Sequence, residues 1–61
     1  MNAKEIIKLL QQSGFKQMRQ KGSHVRLSNG NKFTTVAIHG KTDVPIGTVK
    51  KIEKDTGVKL L

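Results

Sequence analysis

Gly22-Ser23-His24-Val25-Arg26-Leu27-Ser28 alternates polar and apolar side chains after a glycine. That two-residue repeat is the signature of a half-buried strand. Val25 and Leu27 share one face, which predicts a core on that side of a sheet. His24, Arg26 and Ser28 share the other, which predicts a face left open. Moving outward, Gly22 and Asn29-Gly30 punctuate the alternation into three short strands, expected at residues 16–20, 23–28 and 32–38. Asn-Gly between alternating segments is a strong hairpin signal, so the strands form an antiparallel meander. In the third strand Thr34, Val36 and Ile38 join Val25 and Leu27 under the core, leaving Phe33 and Thr35 on the other side.

Before the meander, Ala3, Ile6, Ile7 and Leu10 follow the i, i+3, i+4, i+7 spacing of a single apolar helical stripe. Asn2 is placed to cap this helix, with Glu5 three residues on. Gly14 is placed to end it in the left-handed conformation, with Phe15 folding back onto Leu10 as a core residue. After the meander a loop runs from His39-Gly40 through Lys41, Thr42 and Asp43. Pro45 then offers a helix-compatible start, and a second helix is expected to about Thr56. Ile46, Val49, Ile52 and Thr56 are expected on its inner side, with Lys50, Lys51 and Lys54 as a cationic ridge on the outer side. Gly57 ends it, and Val58 packs on Ile52. Both apolar stripes are buried together only if the two helices lie on one face of the sheet. The expected fold class is α+β: two layers, a three-stranded antiparallel sheet with two helices on one face, in the order αβββα, forming one domain over residues 1–61.

Charge narrows the function. Twelve Lys and Arg against four Asp and Glu give a formal net charge of +8, spread along the chain rather than held in a tail. Such a surface attracts polyanions. A membrane would also attract it, but the chain has no long apolar run, and its first helix carries few cations on the polar side. Nucleic acid is therefore the expected partner. Phe15 and Phe33 are the only aromatics, too few for the stacking surface of common single-strand binders. A DNA-binding reading is disfavoured because the helices are separated by the sheet rather than joined as a helix-turn-helix. The chain has no cysteine, hence neither a disulfide frame nor a thiolate zinc site, and its amino terminus lacks the apolar core of a signal peptide, so a cytoplasmic location is expected.

The chemistry comes from His24. Histidine performs both acid and base work near neutral pH, and here it stands among phosphate-attracting cations, a combination that points to RNA cleavage. Lys21 and Arg26 are placed to neutralise a scissile phosphate, and Ser23 to orient that phosphate or the imidazole. The same cations also suit a merely solvated basic face, and Ser23 a strand-edge hydroxyl. Lys50, Lys51 and Lys54 read as general RNA contacts. Glu5, Asp43, Glu53 and Asp55 form no carboxylate cluster in sequence, so neither metal nor small-molecule cofactor is expected. RNA carries its own nucleophile, the 2′-hydroxyl, and His24 is the candidate base or acid. The competing reading is a noncatalytic double-stranded RNA-binding module, for which the fold class and the basic second helix would suffice.

Gly22-Ser23-His24 followed by an apolar residue, a short hairpin, a second histidine at His39, and Gly47-Thr48-Val49-Lys50-Lys51-Ile52 before Gly57 resembles the HicA family of bacterial toxins, also called the YcfA-like family. The resemblance spans nearly the whole chain. It implies a fold similar to a double-stranded RNA-binding domain, ribonuclease activity on messenger RNA that inhibits translation, and a HicB-type antitoxin as partner. It also implies that His24 is the catalytic residue. Family members usually carry a proline two residues before the second histidine, where this chain has Ala37, and His39 is accordingly given an auxiliary or structural role.

Overall fold

A computed structural model describes residues 1–40 and 42–61, so Lys41 of the expected loop lies outside the described residues. The elements follow the order α1 (Ala3–Gln12), β1 (Lys16–Lys21), β2 (His24–Ser28), β3 (Phe33–Ala37) and α2 (Ile46–Thr56). The strands form one antiparallel sheet with β2 at its centre. This is the expected αβββα arrangement. Among the described residues no helix is long and apolar enough to cross a membrane.

α1 starts and stops where its local chemistry dictates. The Asn2 side-chain oxygen accepts from the Glu5 amide at 2.9 Å, and the Asn2 amide donates to Glu5 Oε1 at 3.2 Å, closing a capping box. At the other end the Phe15 amide donates to the Leu10 carbonyl at 3.0 Å and the Gly14 amide to that of Gln11 at 3.1 Å. Gly14 has a φ of +95°, and this pair of bonds is a Schellman ending. Ala3, Ile6, Leu10 and Phe15 are buried.

β2 and β3 divide as their alternation requires. Val25, Leu27, Thr34 and Val36 are buried, while His24, Arg26, Phe33 and Thr35 are exposed. Ile6 and Leu10 of α1 and Val49 and Ile52 of α2 belong to the same core as Val25, Leu27 and Val36. Both helices therefore cover one sheet face. β1 is an edge strand exposed along its whole length, and its polar, charged sequence suits an edge that must not pair with other chains. Gln17 pairs with Leu27 and Arg19 with Arg26, which leaves Met18 as the extra residue of a bulge.

Three details differ from the sequence expectation. The second hairpin closes on Asn29 and Lys32, the Asn29 amide donating to the Lys32 carbonyl at 3.1 Å, so Gly30 and Asn31 are the central residues. Gly30 supplies a positive φ, +97°, at the first central position, a conformation glycine adopts without a steric penalty. Asn29 acts through its side-chain oxygen, which accepts from the Asn31 and Lys32 amides at 2.9 and 2.7 Å. Pro45 serves as the N-cap of α2 in an extended conformation, with Ile46 as the first helical residue. Ile46 itself is 64% exposed rather than on the inner stripe. Each three-residue step falls about 60° short of a full turn, so Ile46 drifts to the margin of the face centred on Val49, Ile52 and Thr56.

The core also extends further than Val58. Gly57, with a φ of +74°, ends α2, and the following segment folds back so that Leu60 is buried. Glu53 anchors this return: its Oε2 accepts from the Leu60 and Leu61 amides at 2.7 and 3.0 Å. The Leu61 and then the Leu60 amide hold the Glu53 carboxyl below the ordinary glutamate range, with Lys59 and Lys50 adding to the effect. A lowered folded-state pKa stabilises the docked tail above the ordinary range, and that stabilisation is lost as pH falls through the lowered value. The Leu60 and Leu61 amide shifts are therefore expected to titrate together with the Glu53 carboxyl in acid. In Glu53→Ala the Leu60 amide should lose its exchange protection at neutral pH. Amide shifts that ignore the Glu53 titration would contradict this anchoring role.

Candidate active site

The open sheet face is built by register. Lys21 and Ala37 lie opposite His24, Arg19 and Thr35 lie opposite Arg26, and Lys16 and Phe33 lie opposite Ser28. Directly opposed residues on paired strands share a face. The face turned away from both helices thus carries Lys16, Arg19 and Lys21 from β1 beside His24 and Arg26 from β2, all exposed. Arg19 faces Arg26 directly, and like charges so placed cost stability. Arg26 meets part of that cost by stacking on Phe33, its guanidinium carbon 4.4 Å from the ring centroid. Among the described residues no carboxylate pairs with any of these cations; the ion pair present joins the terminal amine of Met1 to Asp43 at 3.5 Å. The face is a set of positive charges open to an anion.

His24 begins β2 at the head of this surface, held by pairing to Lys21 on one side and Ala37 on the other. The turn that delivers it is Gly22-Ser23, with Gly22 at a φ of +60°, a conformation that side-chain-bearing residues rarely adopt. Gln20 Nε2 donates to the Gly22 carbonyl at 3.1 Å, and the Ile38 amide donates to the Ser23 carbonyl at 2.7 Å, which ties the turn to the end of β3. Ser23 is half-buried beside His24. Among the described residues nothing hydrogen-bonds to the exposed imidazole, which leaves the ring open to a substrate.

The other expected site residues are distributed. His39 is exposed beyond the end of β3 and lines a cavity of about 400 Å³ with Val36, Ala37, Thr48 and Ile52, at the junction of β3 and α2. It does not belong to the paired rows that hold His24. Lys50, Lys51 and Lys54 are exposed on α2, in the helix layer. Lys51 lines a groove with Lys32, Phe33 and Thr35 along the free edge of β3, and so adjoins the open face, whereas Lys50 acts on Glu53. Arg19 and Lys16 belong to the cationic face although the sequence expectation omits them. Arg19 stands two residues before Lys21 and shares its face by simple alternation, a signal that is present in the sequence; Lys16 reaches that face through the bulge at Met18, which only the partner strand reveals. Among the described residues no three His, Asp or Glu side chains come together as metal ligands.

The sequence model of a family described as HicA toxin of bacterial toxin-antitoxin matches residues 3–58 of this chain. The matched stretch runs from the start of α1 past the end of α2 and includes the whole open face. Comparison with curated proteins gave no match.

Proposed function

Because the chain belongs to the HicA toxin family of bacterial toxin-antitoxin systems, we propose that it is a metal-independent endoribonuclease that cleaves messenger RNA in the cytoplasm and so inhibits translation. The observation that carries this reading is the placement of His24 on an open sheet face, opposite Lys21 and beside the unpaired charges of Arg19 and Arg26. His24 takes the proton from the 2′-hydroxyl as it attacks the adjacent phosphorus, or gives one to the departing 5′-oxygen. Lys21, Arg19 and Arg26 offset the charge that builds on the phosphorane. Ser23 helps orient the phosphate, and His39 has an auxiliary role. The test is incubation of the purified protein with RNA in EDTA, with cleavage as the expected result. Binding without cleavage would instead support a noncatalytic double-stranded RNA-binding module.

Lys50, Lys51 and Lys54 extend the RNA footprint over the helix layer. Affinity for single-stranded RNA should then fall with salt at a log-log slope of about −0.7 per phosphate neutralised. Replacing the three lysines by alanine should flatten that slope by about 0.7 for each phosphate they neutralise. An unchanged slope in the triple variant would mark the ridge as solvent-facing only.

The partner that neutralises the toxin is a HicB-type antitoxin, and it acts by covering His24 and the neighbouring cations. Among the described residues no segment covers this face, where His24, Arg26 and Thr35 are exposed. Hydrogen exchange in the toxin-antitoxin complex should show added protection at residues 22–26, and protection confined to α1 and α2 would refute direct occlusion.

A further inference from the structure

Phe33 is 58% exposed on the open face, yet it is not a lone surface aromatic. The Arg26 guanidinium covers one side of its ring, 4.4 Å from the centroid. The register puts that stack on the same face as His24, with Arg19 opposite Arg26 and Lys21 opposite His24. On its outer side the ring borders the groove along the free edge of β3, where Lys32 and Lys51 stand with a single carboxylate, Asp55. An aromatic plane, a guanidinium plane stacked on it and cations on two sides are the parts from which single-stranded nucleic acid is held.

We infer that the Arg26–Phe33 stack is a subsite for one unpaired nucleobase, and that this base sets which phosphate of the strand meets His24. The inference rests on the ribonuclease reading of the open face. Ser28, the partner of Phe33, lies four residues along β2 from His24, which separates the two rows by about 13 Å along the strand. The stacked base is therefore offset from the scissile bond, and the backbone between them passes over Arg19 and Arg26. Every base has a π face, so the subsite accepts purines and pyrimidines alike and positions the strand rather than reading its sequence. A base inside a duplex is already stacked on its neighbours and offers no free face. The subsite thus requires single-stranded RNA at that position. A single platform is consistent with a chain whose other aromatic, Phe15, is buried.

The test compares Phe33, Phe33→Leu and Phe33→Tyr, all in the His24→Ala background so that the RNA stays intact. Short oligoribonucleotides carrying 2-aminopurine at each position in turn report stacking by fluorescence quenching. The expected result is quenching with Phe33 and with Phe33→Tyr, its loss with Phe33→Leu, and roughly five- to hundredfold weaker binding of single strands by the leucine variant. Binding of a perfect RNA duplex should be the same in all three. The inference is overturned if Phe33→Leu binds single strands as tightly as its parent, if duplex affinity falls equally, or if tyrosine fails to restore the quenching. Should the unsubstituted protein fail to cleave RNA at all, the ribonuclease reading falls on that assay alone, while quenching and affinity still decide the subsite.

Discussion

His24→Ala should lower the rate of RNA cleavage by roughly 10²- to 10⁴-fold, the usual contribution of a positioned general acid or base. The fold should survive, because His24 is exposed on the face opposite the core and nothing hydrogen-bonds to its ring among the described residues. Surface substitutions of this kind usually change stability by no more than about 0.5 kcal/mol. RNA binding should also persist, since Lys21, Arg19 and Arg26 remain in place to hold the phosphates. The variant is thus expected to be folded, RNA-bound and non-toxic in cells. Matched thermal melts, binding isotherms and cleavage rates check each part. Full ribonuclease activity in a preparation free of contaminating nuclease would remove His24 from the chemistry.

Leu27→Ala should also abolish toxicity, for a different reason. Leu27 is fully buried at the centre of the sheet, paired to Gln17 and Thr34, with the helices packed over it. Truncating a buried leucine costs about 2–5 kcal/mol through lost transfer energy and the cavity left behind. A chain of this length has on the order of 3–9 kcal/mol of stability to lose. The expected outcome is a melting temperature lower by at least about 10 °C, or no cooperative transition at all. A melt that matches the unsubstituted protein would contradict the placement of the core. Loss of toxicity in cells is therefore informative about His24 only beside a melt, because an unfolded variant and a catalytically dead one have the same phenotype.

Features that depend on neighbours along the chain are legible in the sequence. The Asn2 and Glu5 cap, the Gly14 ending and the burial of Phe15 follow from residues within about one helical turn of each other, and the structure has them all. The alternation through β2 and β3 likewise assigns His24, Arg26, Phe33 and Thr35 to the open face without knowledge of any partner. Pairings between distant segments are less legible. Leu60 enters the core because the Glu53 carboxylate captures amides seven and eight positions away, a pairing with no periodic trace. Lys16 joins the cationic face through a bulge that exists only in the register between β1 and β2. The expectation for Ile46 fails because a run of three-residue steps drifts around a helix, so the ends of the run cannot all face inward. Within the site the same division holds: the residues of the turn and central strand are legible, and the Arg19–Arg26 opposition and the Arg26–Phe33 stack emerge from pairing across strands.

Whether RNA is cut by its own 2′-hydroxyl at His24 is decided by one digestion: a defined RNA, and the same RNA with a single 2′-deoxy substitution at the mapped cut, each treated in EDTA with the unsubstituted protein and with His24→Ala. Only the all-ribose RNA should be cut, and only by the protein that retains His24, leaving a 2′,3′-cyclic phosphate and a 5′-hydroxyl. Cleavage at the deoxy position, or equal cleavage by His24→Ala, would contradict that chemistry.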